Sequence, residues 1–334
     1  MTTVGPQPDP VSRGAFGSSP DSSRAGRPHV VALGGGHGLA TTLRAVRRYA
    51  GKVTAVVSVA DDGGSSGRLR QIAGIPAPGD LRRCLVAMAA EDSLWAGAFE
   101  YRFPSGDLEG HALGNLIIAG LANVTGDFSR ALELAGDLLG AAGRVLPATS
   151  APVVLKADVA GIEVVGQVNV SESPGVISSV SIVPPDAPAP AEVLDALADA
   201  DQVVIGPGSL FTSVLAVCVV PDICAALTER SGGRVYVCNL RPQLPETAGF
   251  TAEDHLSAVL DHGVPIDTIV VPAGAGPDNS ARSDSSARTE SSATLAPMAA
   301  TWRGVPVVVA GLERADGSGH DAEQLAEVLR LLAQ

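Results

Sequence analysis

The sequence predicts an α/β protein: a doubly wound, mostly parallel Rossmann-like sheet carrying a small β-rich insertion. Three observations predict it. Short, continuous apolar runs alternate with stretches of helical periodicity, as in a parallel sheet covered on both faces. Glycine-rich loops follow the first two of those runs, where the strands of such sheets turn into helices. One stretch, 144–183, breaks the rhythm with partly alternating runs that end at Pro184-Pro185, a pattern of antiparallel strands.

Residues 1–28 are rich in Pro, Ser and Gly and lack periodicity, which reads as a disordered tail. Strands are predicted near 29–33, 53–59, 202–206, 234–238, 266–271 and 305–309. Helices are predicted near 39–49, 80–90, 112–123, 127–140, 191–199, 209–218, 221–230, 253–262 and 321–332. Within 144–183, the runs Val153–Ala157, Ile162–Val168 and Val176–Val183 read as the strands of the insertion. A Ser-rich polar segment at about 274–296 reads as a mobile loop inside the fold, either plainly solvated or regulatory and open to phosphorylation. No internal repeat is evident, so residues 29–334 read as one domain.

A chain of 334 residues, 46% hydrophobic, is ample for a large core. Aromatics are 3%, so Val, Leu, Ile and Ala must fill it. The formal net charge of −13 repels nucleic acid and anionic membranes. No run reaches the roughly 18 apolar residues of a membrane span, and no signal peptide is visible. Cys84, Cys218, Cys224 and Cys238 form no C-x-x-C pair and sit in apolar stretches, as expected of reduced thiols in a cytoplasmic protein.

In an acidic protein an anionic ligand needs local donors, and four loops at strand ends offer them. The first is Gly34-Gly35-Gly36-His37-Gly38-Leu39. Leu39 stands where a dinucleotide fingerprint needs Gly or Ala, and no Gly-Lys-Ser/Thr follows, so it is a different tight phosphate turn. The second is Asp61-Asp62-Gly63-Gly64-Ser65-Ser66-Gly67-Arg68. Asp61 and Asp62 could hold Mg²⁺ or bond ribose hydroxyls, and the Gly, Ser and Arg68 donors suit phosphate. Adjacent carboxylates on a strand alternate faces, so at most one of the two touches ligand directly. The third loop is Gly206-Pro207-Gly208-Ser209, continuing to Thr212 and Ser213; Ser209 reads equally as an N-cap or a ligand contact. The fourth runs from Asn239 to Glu246 and Thr247, either a rigid connector or a base- or sugar-recognition loop. Asp80 reads as an N-cap, with Arg82 and Arg83 in a first helical turn where cations oppose the dipole and hint at an anionic partner. His111 or Asn115 could face the same crevice. His255 and His262, seven apart, lack the spacing of a helical zinc pair, and no nucleophile–base pair can be read.

Together these motifs resemble the YvcK/GlmR gluconeogenesis factors, including their actinobacterial CuvA-like members, which are related to the CofD transferases. The matching stretches are Gly34–Leu39, Ser58–Arg70, Pro78–Leu85, Tyr101–Phe103, Gly110–Leu116, Gly206–Ser213 and Glu246–Phe250, in family order. His37 stands where Thr is common, and Arg241-Pro242-Gln243-Leu244-Pro245 replaces a typical Met-Thr-Gln-Pro-Gly run. The resemblance implies a single CofD-like domain and a cytoplasmic regulator that binds UDP-N-acetylglucosamine and links carbon metabolism to cell-wall precursor supply and cell shape. It also implies partnership with Ser/Thr kinases and cell-wall enzymes; a homo-oligomer is a further expectation, and the sequence does not reveal the oligomeric state. The alternative is a Mg²⁺-dependent CofD-like transferase, with Asp61 and Asp62 on the metal.

Overall fold

The structure, a computed structural model, describes residues 26–90, 92–273 and 301–334. The 274–296 segment, and the tail up to residue 25, lie outside the described residues. The chain opens with β1 (His29–Gly34), α1 (Gly36–Val46), β2 (Lys52–Val57) and α2 (Gly64–Ala73). Four helices, α3 (Gly79–Met88), α4 (Leu94–Glu100), α5 (Leu113–Thr125) and α6 (Phe128–Leu139), precede β3 (Arg144–Pro147). Next come β4 (Val154–Val159), β5 (Ile162–Val165), α7 (Gln167–Glu172) and β6 (Ile177–Val183). Helix α8 (Ala191–Asp199) returns to β7 (Gln202–Ile205). A π-helical turn (Leu210–Leu215), α9 (Ala216–Cys218) and α10 (Pro221–Glu229) lead to β8 (Arg234–Val237). The chain then runs through α11 (Ala252–Asp261), β9 (Thr268–Pro272), β10 (Thr301–Trp302), β11 (Val305–Ala310) and α12 (Ala322–Leu332).

Eight strands form one sheet in the order β10-β11-β9-β8-β7-β1-β2-β3. Every neighbouring pair is parallel except β10 with β11. All six predicted strands lie in it. Residues of β1 are buried on both faces, as are those of β7 and β8, which is why they read as continuous apolar runs. From β1 the order proceeds one way through β2 and β3, and from β7 the other way through β8, β9 and β11. The β1/β7 boundary is therefore the topological switch point, beside which open α/β sheets bind ligands.

The insertion starts later than expected. Residues 144–147 are not part of it: β3 pairs in parallel with β2, Ala55 opposite Val145 and Val57 opposite Pro147. A four-residue strand at a sheet edge has too short an apolar run to be told from the alternating strands that follow. The insertion itself is an antiparallel sheet of order β5-β4-β6. Its second strand also ends early. Ile162–Val165 is strand, but Gly166 turns the chain at φ +101° and Gln167–Glu172 is helical.

Helix ends follow local chemistry. Asp127 accepts from Arg130 N–H at the start of α6, and Gly140 closes that helix in the left-handed conformation. Thr251 and Asp254 form a reciprocal capping box on α11, with His262 as its C-cap. Among the described residues, no single helix is long and apolar enough to cross a membrane.

Candidate functional site

A cavity of about 490 Å³ opens beside the switch point. Three helices, α1, α2 and α3, begin on it, after Gly35, Gly63 and Pro78, and none of the three has a side-chain cap. Their first N–H groups are left for another partner, and the positive ends of three helix dipoles share one space. Here the glycines matter. Gly36 sits at φ +61° and Gly64 at φ +49°. At Gly38 a Cβ would lie 2.2 Å from the Pro207 carbonyl oxygen, so only glycine lets α1 approach the third loop.

The structure brings most of the predicted residues together. Gly35, Gly36, His37 and Gly38 line the cavity from the first loop, and Asp61, Gly63, Gly64, Ser65 and Ser66 from the second. Asp80, Arg83, Asn115, Gly208, Ser209, Thr212 and Ser213 complete the predicted part. Asp80 is not the N-cap of α3 but lies in its first turn, paired with Arg83 at 2.7 Å. Six more residues line the cavity: Arg82, read beside Arg83 as a hint of an anionic partner; Gln243, inside the fourth loop; and Ser58, Gly79, Arg102 and Gln167, which reasoning from sequence did not single out. All but Gln167 stood inside or beside quoted motifs. Gln167 is delivered by the insertion, through a contact no local signal announces.

Eight predicted residues are placed elsewhere. Leu39 is fully buried core. Asp62 turns to the insertion and accepts from Gln167 N–H at 3.1 Å and Val168 N–H at 3.0 Å, capping α7 from a distance. Arg68 donates to the Glu109 carbonyl on an exposed loop. His111 lies behind the wall, 3.0 Å from Ser65 Oγ. The Gly206 carbonyl accepts from Thr42 Oγ1, and Pro207 forms a cis peptide facing α1. Asn239 brackets Gly208, accepting from its N–H at 3.0 Å and donating to its carbonyl at 2.8 Å. Glu246, 3% exposed, accepts from Phe211 N–H, Thr212 N–H and Thr212 Oγ1, and so caps the π-helical turn. These residues hold the loops rather than the space between them.

A polar chain backs the second loop. Arg82, 1% exposed, pairs with Glu100 at 2.7 Å and donates from Nε to Asn115 Oδ1. Asn115 Nδ2 donates to Ser65 Oγ, which also shares a hydrogen bond with His111 Nδ1. Desolvation, helped by the Arg68 charge, lowers the His111 pKa and favours the neutral ring. Desolvation at the cavity wall and the Arg83 charge likewise lower the pKa of His37.

Asp61 is the unusual carboxylate. Burial raises its pKa and the Asp80 charge adds to this, while Gly63 N–H and the Ser66 hydroxyl pull it back. Among the described residues no three His, Cys, Asp or Glu are grouped to hold a metal ion. The expected Asp61–Asp62 pair does not assemble, because Asp62 is committed to α7. Among the described residues, Asp61 and Asp80 are the two carboxylates on the cavity. Mg²⁺ is held by one or two carboxylates when phosphate oxygens and water complete its shell, so Asp61 is the residue that could take one beside a phosphorylated ligand.

Comparison with known proteins fits this architecture. The family model "2-phospho-L-lactate transferase CofD" matches residues 30–311. The gluconeogenesis factor of Halalkalibacterium halodurans is 44% identical over 247 residues, covering 73% of this chain and 77% of its own. The chain belongs to the CofD-like gluconeogenesis factor family. A putative gluconeogenesis factor from Nostoc is 43% identical over 234 residues, and this chain spans about half of it, 51%. The crystal structure of a UPF0052 family protein from Bacillus halodurans superposes with a TM-score of 0.79 at 36% identity, covering 91% of this chain and 98% of that one. The gluconeogenesis factor fold is thus the doubly wound sheet expected from the sequence.

Proposed function

We propose that the cavity binds a nucleotide sugar, UDP-N-acetylglucosamine, and that this gluconeogenesis factor is a cytoplasmic regulator tying carbon metabolism to cell-wall precursor supply and cell shape. The observation that carries this reading is the set of three uncapped helix N-termini on one cavity. Such a cradle suits a diphosphate, which neighbouring N–H groups can bind at several oxygens. The hydroxyl and amide groups of Ser209, Ser213 and Gln243 line the same cavity, with Ser213 against Gly35, and suit sugar and base edges. The volume lies within the range of small-molecule sites. The names of the relatives support the metabolic role.

Calorimetry with UDP-N-acetylglucosamine, UDP-glucose and UDP tests the reading. Binding is expected without metal, and His37→Glu, which sets a carboxylate among the phosphate donors, is expected to weaken it by about tenfold or more. A protein that binds none of the three overturns the proposal. A Mg²⁺-dependent transferase is favoured by one observation, the desolvated Asp61 facing Asp80. That reading gains if binding needs Mg²⁺ and Asp61→Asn abolishes the metal response.

A further inference from the structure

Helices α1 and α3 begin at the cavity and end at a second concavity of about 530 Å³. Arg44, Arg47 and Arg48 line it from the last turn of α1 and the residues just beyond. Arg44 is in the last turn, Arg47 is the C-cap and Arg48 lies in the turn that follows. Its other walls are small and apolar, built of Ala and Val from β2, α3, α4 and α12, and no carboxylate lines it among the described residues.

Each arginine is differently placed. Arg47 Nη1 donates to the carbonyls of Ala87 and Ala89, at 3.2 and 2.9 Å, which locks its guanidinium against the end of α3. Arg48 touches Glu323 at 3.3 Å, a pair in open solvent and so of little strength. Arg44 makes no hydrogen bond or ion pair among the described residues, and Glu100, whose charge reaches it, is held by Arg82 at 2.7 Å. Desolvation, then the charges of Arg314 and Arg47, lower the pKa of Arg44. Cations at a helix C-terminus do favour its dipole. That accounts for basic residues here, but not for a hollow with apolar walls and one guanidinium fixed in place.

We propose that this concavity is a second anion site, which takes a small phosphate monoester with a short carbon body. Guanidinium forks pair two N–H groups with phosphate oxygens, and the Ala and Val walls suit the carbon body. The volume again falls in the small-molecule range. In a chain of net charge −13, three arginines without full counter-charge among the described residues are a local exception to the field around them. Because α1 and α3 touch both sites, an occupant that stiffens their ends is positioned to alter the cradle at their starts. The proposal stands apart from the nucleotide-sugar reading.

Calorimetric titration of the full chain with glycerol 3-phosphate, with glycerol and inorganic phosphate as controls, tests it. Glycerol 3-phosphate is expected to bind more tightly than inorganic phosphate, and less tightly as NaCl is added, with glycerol silent. The double variant Arg44→Gln/Arg48→Gln, which spares the structural Arg47, is expected to weaken binding by about tenfold or more. Ala96→Glu, which offers the arginines a carboxylate from α4, should do the same. His37→Glu, aimed at the other cavity, should leave it unchanged. Thermal unfolding of each variant checks that it is folded. Binding lost in His37→Glu but kept in the arginine variant would overturn the proposal, as would a wild-type protein that does not bind glycerol 3-phosphate.

Discussion

Asp61 keeps a carboxylate in a place that disfavours its charge. Its folded pKa is raised, so the native state holds a proton that the unfolded chain gives up, and stability falls as pH rises above the ordinary value of 3.8. Asp61→Asn should therefore raise the melting temperature at pH 7, by the equivalent of about 0.5–2 kcal/mol, with the gain shrinking as pH falls toward 3.8. Thermal scans across that range check it, and a destabilised Asn variant at neutral pH would contradict it. At Gly38 a Cβ meets backbone atoms of Pro207, at 2.2 and 2.6 Å, which cannot rotate away. Gly38→Ala is expected to destabilise by about 1–3 kcal/mol in urea titration. Both glycine loops were legible in the sequence because a strand–glycine–helix pattern has a local cause. The fates of Asp62 and Glu246 were not, since their partners lie 105 and 35 residues away.

Two elements owe their shape to those distant carboxylates. The π-helical turn starts with the Phe211 and Thr212 N–H groups on Glu246, whose own pKa is raised by burial against the pull of those bonds. Glu246→Ala leaves three buried donors without their acceptor, the Phe211 and Thr212 N–H groups and the Thr212 hydroxyl, at about 1–3 kcal/mol for each that stays unpaired. Faster hydrogen exchange across 209–218 and weaker ligand binding should follow, although Glu246 does not line the cavity. Asp62 caps α7 in the same way. Asp62→Ala should lower stability by about 0.5–2 kcal/mol and speed exchange across 154–183, while β1 and β2 stay protected. An α2 that starts at Gly64, inside what reads as a polar loop, escaped the sequence because Gly, Ser and Ser are weak helix formers. At Gly67 a Cβ would lie 2.0 Å from the Asp62 carbonyl oxygen, so close packing, rather than propensity, requires glycine there.

At the scale of the molecule, a buried histidine contributes to the acid response. His255, 2% exposed and in contact with the Tyr236 hydroxyl, has its pKa lowered by desolvation from 6.5 to about 4. It is neutral when folded and takes a proton on unfolding, so its contribution is complete above pH 6.5 and is lost as pH falls toward 4, at most roughly 3 kcal/mol. His255→Gln should flatten stability against pH in that window, as denaturant titration at pH 7 and pH 5 would show. The parallel sheet was legible as a class, because six buried runs alternate with helices; its strand order and the short edge strand β3 were not. The pairing at the heart of the sheet joins β1 to β7, with His29 N–H on Asp201 and Val30 opposite Gln202. Those partners stand 172 residues apart, so the two halves of the cavity are made at different times on the ribosome. Until β7 has emerged, β1 is an uncovered apolar edge with its glycine loop already exposed. Such an edge is prone to pair with the wrong strand. The nascent chain thus extends 172 residues past β1 before the partner strand exists, and its need for a chaperone should be greatest in that interval.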